Sequence, residues 1–458
     1  MGLDRIDKKK VLLIGLGVSG RAAARYLTKK DCEVMAVERD RALIEKNGEI
    51  QELKAQGVLV SLETDLYSNN LPSNLQNIDL AVLSPGISSD HFLVQQMRAM
   101  GKEVIGEIEL GCRELLEKSI PTLGITGTNG KTTTTFLVEH VLLESGVKAR
   151  AAGNSGFALT NAIQEENFTG KLILELSSYQ LETLRTPVLE SAALLNITPD
   201  HLDRYPDMEA YAAAKCAIAS CVKEGGKLFV EAKAAAQFGH LVQHADLRVY
   251  GYTEQAAIYT DLKSLFVDRQ KVLEWPVMLQ GRPSHDMENA MAAYALCAEH
   301  GVSPAQFGAA LSTFKKPAHR IEFVAEKAGV RYYNDSKGTN LDAVIRAIET
   351  LDGPIILIAG GVDKGASYTA WLQPFLGRVN SICAIGQAAE KIRRELAHQI
   401  PVTIFSSLQE AVAAASKQAV SGQNVILSPG CSSYDMFDNY IDRGNQFKKA
   451  VAILGTNR

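Results

Sequence analysis

Thr122-Leu123-Gly124-Ile125-Thr126-Gly127-Thr128-Asn129-Gly130-Lys131-Thr132-Thr133 is the stretch that decides the fold of this chain. An apolar strand, 122–125, runs into a glycine-rich turn, and an apolar helix follows. Such a turn aims backbone N–H groups at phosphates. A lysine after it reaches the terminal phosphates, and a neighbouring hydroxyl can ligate Mg²⁺. The usual pattern sets a glycine five positions before the Gly of Gly-Lys. Ile125 holds that place here, flanked by Gly124 and Gly127, so the loop is a variant. The expected ligand of Gly127, Thr128, Asn129, Gly130, Lys131, Thr132 and Thr133 is ATP.

Outward from this loop, apolar runs of strand length alternate with Ala-rich helical segments, the pattern of βαβ units and mainly parallel sheets. At 458 residues the chain exceeds one hydrophobic core, and it divides into three blocks at 1–110, 111–316 and 317–458. Strands are expected at 11–15, 33–38 and 80–84 in the first block, and at 122–126, 171–176 and 192–198 in the second. The second closes on a helix over 289–300. The third has expected strands at 354–359, 379–385 and 424–427.

Apolar residues make up 46% and charged residues 22%, an ordinary globular balance. A net charge of −4 with no dense basic cluster argues against nucleic-acid or membrane-surface partners. Seven cysteines without a Cys-x-x-Cys pair read as reduced thiols in a cytosolic protein. The charged segment Met1–Lys10 leads straight into a strand and leaves no apolar signal segment. No stretch approaches the roughly 20 apolar residues of a membrane helix, so no membrane insertion is expected.

Several further residues sit where an open parallel sheet places its ligands. Gly15-Leu16-Gly17-Val18-Ser19-Gly20 opens a helix, and the acid Glu38 ends the next strand eighteen residues later. Glycines there let the backbone approach a diphosphate, and the acid can accept from a sugar hydroxyl. A bare strand–helix turn is the plainer alternative, and alone the motif says NAD. Glu175, ending an apolar run, can bind a Mg²⁺ that bridges phosphates. His201, within Asp200-His201-Leu202-Asp203-Arg204, suits metal ligation or general-base work. Lys215 interrupts a helix that is apolar nearly all round. By pattern it snorkels to water; the alternative is a neutral amine, which CO₂ converts to a carbamate. In the third block three small-residue loops, 334–340, 359–365 and 427–435, follow strands, and their lysines and hydroxyls suit a carboxylate-bearing substrate.

These motifs, taken in order, are similar to those of the Mur ligases. TGTNGKTT (126–133), LELSSYQLE (174–182), NITPDHLDRYPD (196–207) with Lys215, NDSKGTN (334–340), GGVDKG (360–365) and LSPGCSSYDMF (427–437) all match, as does SPGI (84–87). The loops at 334–340 and 360–365 resemble the D-glutamate-adding branch. The likeness covers essentially the whole chain. It implies an α/β protein with a Rossmann-like N-domain, a central P-loop ATPase-type parallel-sheet domain and a Rossmann-like C-domain that closes over the site. It implies that the first block binds the UDP part of UDP-N-acetylmuramoyl-L-alanine, not NAD, through Val18, Ser19, Glu38 and Gly86, with Asn154 reaching in from the central domain. Asn289, Arg320 and Asp335 would assist ATP. Thr132 and Glu175 would hold one Mg²⁺, and His201 with a carbamylated Lys215 the second. Thr339, Lys364, Ser433 and Tyr440 would contact D-glutamate. One position departs from the pattern: His285-Asp286 stands where relatives often carry His-Asn.

The implied activity is an ATP-dependent ligation through an acyl phosphate, with Lys131, His201 and Lys215 as its catalytic groups, in a cytoplasmic monomer. Three rivals compete. An oxidoreductase explains only the first block, and a P-loop switch only the second. A sibling ligase that adds another amino acid or extends folate typically carries an aromatic and a histidine after the aspartate matched by Asp335, where this chain has Ser336-Lys337.

Overall fold

The protein, seen as a computed structural model, is described over residues 6–68, 73–165, 168–244 and 246–454. Met1–Arg5 of the charged opening segment lie outside these residues. The chain forms two compact units. One comprises 1–196 and 212–314; the other comprises 197–211 and 315–458.

The first unit carries two sheets. One is five-stranded and all parallel, in the order Leu59–Leu62, Glu33–Glu38, Lys10–Ile14, Leu80–Leu83, Glu103–Gly106. Its central strand is buried from Val11 to Ile14, which is why that stretch reads as unbroken hydrophobics. The strand order reverses between Lys10–Ile14 and Leu80–Leu83. There the Ser84 hydroxyl donates to the Gly15 carbonyl at 2.8 Å. Gly20, in the first turn of helix Val18–Lys29, lies so close that a Cβ would overlap the Gly15 carbonyl oxygen. Gly20→Ala should therefore destabilise this sheet by about 1–3 kcal/mol, read as a lower urea midpoint. An unchanged midpoint would refute the close packing.

The second sheet has nine strands. Seven run parallel, from the edge Ala149–Gly153 through Lys171–Glu175, Thr122–Thr126, Leu189–Leu194, Val222–Glu231 and Leu247–Gly251 to Ile258–Thr260. Ser264–Val267 and Gln270–Glu274 then add an antiparallel meander. The strand expected at 192–198 is shifted to Leu189–Leu194. Leu189 and Ser191 pair with Val222 and Lys227, while Asn196 leaves the sheet because its side chain binds the phosphate loop. The expected helix over 289–300 begins earlier, at His285, where Ser284 caps it by accepting from Met287 N–H.

Helix Glu107–Lys118, which continues directly from strand Glu103–Gly106, fastens the two sheets together. Glu107 accepts from both the N–H and the hydroxyl of Thr160 at 2.7 Å. Glu109 accepts from Arg185 N–H and from the N–H and hydroxyl of Thr186. Burial raises the Glu107 carboxyl, and the Thr160 bonds oppose that shift.

The other unit holds a six-stranded sheet, ordered Glu322–Lys327, Val330–Asn334, Asn424–Leu427, Ile355–Gly360, Val379–Ile385, Val402–Ile404. Only the first pair is antiparallel. Tyr368, Trp371 and Phe375, after Ile355–Gly360, pack on one face of this sheet, and Phe447, Ala450 and Val451, after Asn424–Leu427, pack on the other. At such a change of face an open sheet places ligands, at its carboxyl strand ends.

Candidate active site

The phosphate loop leaves strand Thr122–Thr126, which lies between Lys171–Glu175 and Leu189–Leu194. Helix Lys131–Glu144 starts at Gly130, which has φ +87, no side-chain cap and no acid in the first turn. Its amino end is thus set for an anion. A Cβ on Gly130 would overlap the Asn289 side-chain oxygen, so only glycine permits this turn beside Asn289. Lys131 Nζ donates to the carbonyls of Gly127 at 2.7 Å and Thr128 at 2.8 Å. Thr132 and Thr133 are buried in the first turn.

Lys215 corrects the snorkelling expectation. It is 1% exposed, and its Nζ donates to the Gly127 carbonyl at 2.9 Å. The apolar helix thus carries its amine inward to the base of the loop, not out to water.

Glu175 ends its strand in register with Ile125, one residue from the loop's first strand-end threonine. Its Oε1 accepts from Asn154 Nδ2 at 2.8 Å, while Oε2 is buried and has no protein partner. A buried carboxylate oxygen left over at a phosphate loop fits a divalent cation. Among the described residues no three His, Cys, Asp or Glu gather to hold a metal. Glu175 and a hydroxyl such as that of Thr132 are the groups here that could hold a Mg²⁺.

In the five-stranded sheet, Val18 is exposed and Ser19 half-buried at the helix start, and Gly86 lies in the exposed turn after Leu80–Leu83. Glu38 is turned onto backbone. It accepts from Leu16 N–H at 2.7 Å, Arg39 N–H at 2.8 Å and Asp40 N–H at 3.0 Å, and so shapes the glycine turn itself.

The other unit brings its three loops together. Gly430 N–H donates to Gly338 carbonyl at 2.8 Å, and Val362 N–H to Ser432 carbonyl at 2.9 Å. Asp335 accepts from the Ser428 hydroxyl at 2.6 Å. Burial pushes the Asp335 carboxyl up to about 7, while Ser428 and the nearby Arg320 charge pull it down. Thr339 is half-buried and Ser433 buried. The Tyr440 ring carries Lys337 Nζ at 3.9 Å from its centroid.

Lys364 forms an ion pair with Asp200 at 3.0 Å, and Asn340 Nδ2 donates to the same carboxylate at 3.0 Å. Burial opposes ionisation of Asp200, but the charges of Lys364 and His201 outweigh it and hold its carboxyl below the usual range. His201 has φ +56, a left-handed conformation uncommon for histidine, and its Nε2 lies 3.5 Å from Asp200.

Three residues were missed by sequence reasoning. Asn196 pairs with the phosphate loop. Asp200 holds Lys364. Arg443, 0% exposed, donates to the Ser336 hydroxyl and carbonyl and to the carbonyls of Cys431 and Ser432. Desolvation lowers its guanidinium to about 10. One signal could have found Arg443: helical spacing puts it on the face of Phe447, Ala450 and Val451, where a cation needs a reason to be.

The chain matches the family descriptions of the Mur ligase MurD-like N-terminal domain over 9–106, the Mur ligase middle domain over 125–297 and the Mur ligase glutamate ligase domain over 319–431. The chain belongs to the Mur ligase family. It is 50% identical to the UDP-N-acetylmuramoylalanine--D-glutamate ligase of Protochlamydia amoebophila, over 99% of this chain and 100% of that protein. It is 38% identical to the enzyme of the same name from Caldanaerobacter subterraneus, over 98% and 99%. Its fold is that of the UDP-N-acetylmuramate–alanine ligase of Thermotoga maritima, with a TM-score of 0.62 and 16% identity over 97% and 99% of the two chains.

Proposed function

We propose that this chain is the ATP-dependent ligase that joins D-glutamate to UDP-N-acetylmuramoyl-L-alanine in peptidoglycan precursor synthesis. Full-length similarity to relatives named for that reaction carries the proposal. The sibling ligases are disfavoured by the same names.

The blocks divide the work: 1–110 for the UDP substrate, 111–316 for ATP and 317–458 for the amino acid. The alanyl carboxylate attacks the γ-phosphate of ATP, forming an acyl phosphate and ADP. Lys131 neutralises charge as it builds on the transferred phosphate. The D-glutamate amine then attacks the acyl carbon, phosphate leaves, and His201 or a nearby carboxylate accepts the amine proton. Thr132 and Glu175 would hold one Mg²⁺, and His201 with a carbamylated Lys215 the second, supplying charge neutralisation at the phosphates. Among the described residues no helix is long and apolar enough to cross a membrane. We place the reaction in the cytoplasm and the enzyme as a monomer, which sedimentation checks.

Phosphate release with UDP-N-acetylmuramoyl-L-alanine against a panel of amino acids tests the assignment; release with D-glutamate no greater than with the others would end it. Lys364, Thr339, Ser433 and Tyr440 are proposed to receive D-glutamate. Lys364→Ala should then raise the KM for D-glutamate by about 10- to 100-fold, since a charge-assisted hydrogen bond is worth roughly 1.5–3 kcal/mol. The KM for ATP should stay near its starting value. Equal effects on all three substrates would contradict the role of Lys364.

A further inference from the structure

We infer that Asn196 is a positioning residue of the phosphate loop, an inference that rests on ATP being the ligand of that loop. Asn196 lies two residues beyond strand Leu189–Leu194 and is 8% exposed. Its Oδ1 accepts from Asn129 N–H at 2.9 Å, and its Nδ2 donates to the Asn129 carbonyl at 3.0 Å. Its own carbonyl accepts from Thr128 N–H at 2.7 Å.

One side-chain amide thus pairs with both backbone polar groups of a single loop residue, as a neighbouring strand would. Only one orientation of the amide satisfies both bonds, so the pair also fixes which way the Asn129 peptide faces. Leu195 adds a steric stop, since a Cβ on Gly127 would lie 2.8 Å from the Leu195 Cβ.

The pairing has a consequence for charge. The carbonyls of Gly127 and Thr128 are the two on which Lys131 Nζ rests. Thr128 N–H and both backbone polar groups of Asn129 are bonded to Asn196. Asn196 therefore holds the platform from which Lys131 meets phosphate. Without it the loop keeps its glycines and its lysine but has several arrangements to choose from. Ordering them must be met from the binding energy of the nucleotide. Asn196 touches no substrate in this scheme; it acts through Asn129, Thr128 and Lys131.

The test compares the full-length wild-type enzyme with Asn196→Ala and Asn196→Asp. Affinity for ATP is measured directly with a fluorescent ATP analogue, and KM is measured for all three substrates. Removing two hydrogen bonds should weaken ATP about 10-fold or more. kcat should fall as well, while the KM values for D-glutamate and the UDP substrate stay within about twofold. Asn196→Asp keeps the acceptor for Asn129 N–H but turns a carboxylate toward the Asn129 carbonyl, so it should bind ATP no better than Asn196→Ala. It also supplies a soluble variant of nearly the same shape should the alanine variant not fold. ATP affinity unchanged in either folded variant, or a lowered melting temperature with unchanged ATP parameters, overturns the inference. So does an equal rise in all three KM values. Failure of the wild-type enzyme itself to bind the analogue would instead overturn the ATP assignment of the loop.

Discussion

Lys131→Ala is expected to abolish amide formation while leaving the protein folded. Lys131 begins its helix, and its Nζ reaches back over the loop to the carbonyls of Gly127 and Thr128. No apolar core depends on it, so its removal takes charge from the transition state and little from packing. Losing one such donor costs about 10²–10³ in rate or more. Circular dichroism and a urea midpoint near those of the wild type would accompany the loss. Near-normal turnover in the folded variant would remove ATP from this loop.

Lys215→Arg should be nearly inactive and still folded. Lys215 is buried at the foot of the loop, and burial disfavours an ammonium. A neutral amine attacks CO₂, forming an N–C bond and releasing a proton, and the resulting carbamate is a carboxylate-like ligand. Its negative charge would be compensated by a divalent cation held beside it. Arginine keeps a positive charge and forms no such product. Native mass measurement should show the added carboxyl on Lys215, and bicarbonate should restore activity lost to acid treatment under CO₂ depletion. Full activity of Lys215→Arg, or a bare amine in a high-resolution structure of the active enzyme, would refute the carbamate.

The parts of this fold legible in the sequence were those with a local signature. Strands 33–38, 379–385 and 424–427 fall where their apolar runs do, because a parallel strand covered on both faces needs continuous hydrophobics. The antiparallel edges were missed. Asp268 and Arg269 both take positive φ in the hairpin turn, and so do Ala328 and Gly329. Such turns are usually announced by Asn-Gly or Asp-Gly, and neither dipeptide occurs there. The loops 126–133, 334–340, 360–365 and 427–437 could be read because small residues concentrate in them. The pairing of Asp200 with Lys364, 164 residues apart, has no local signature at all. Pattern alone sends Lys215 to water for a related reason, though it is buried. Helical periodicity tells which face a residue occupies, not whether a carbonyl waits opposite it.

Arg443 bears on how this protein is made. Its guanidinium joins the loop at Ser336 to the loop at Cys431 and Ser432, using only neutral oxygens as partners. A ribosome releases the strands of this sheet first and helix Tyr440–Ile453 after all of them. Until that helix has left the exit tunnel, the two loops have no tie through Arg443. Domains generally fold as units during synthesis. The unit that carries the phosphate loop ends at residue 314, so it is on the nascent chain in full before helix Tyr440–Ile453 is made. Translation thus sets an order of maturation in which the phosphate loop precedes the loops that Arg443 joins.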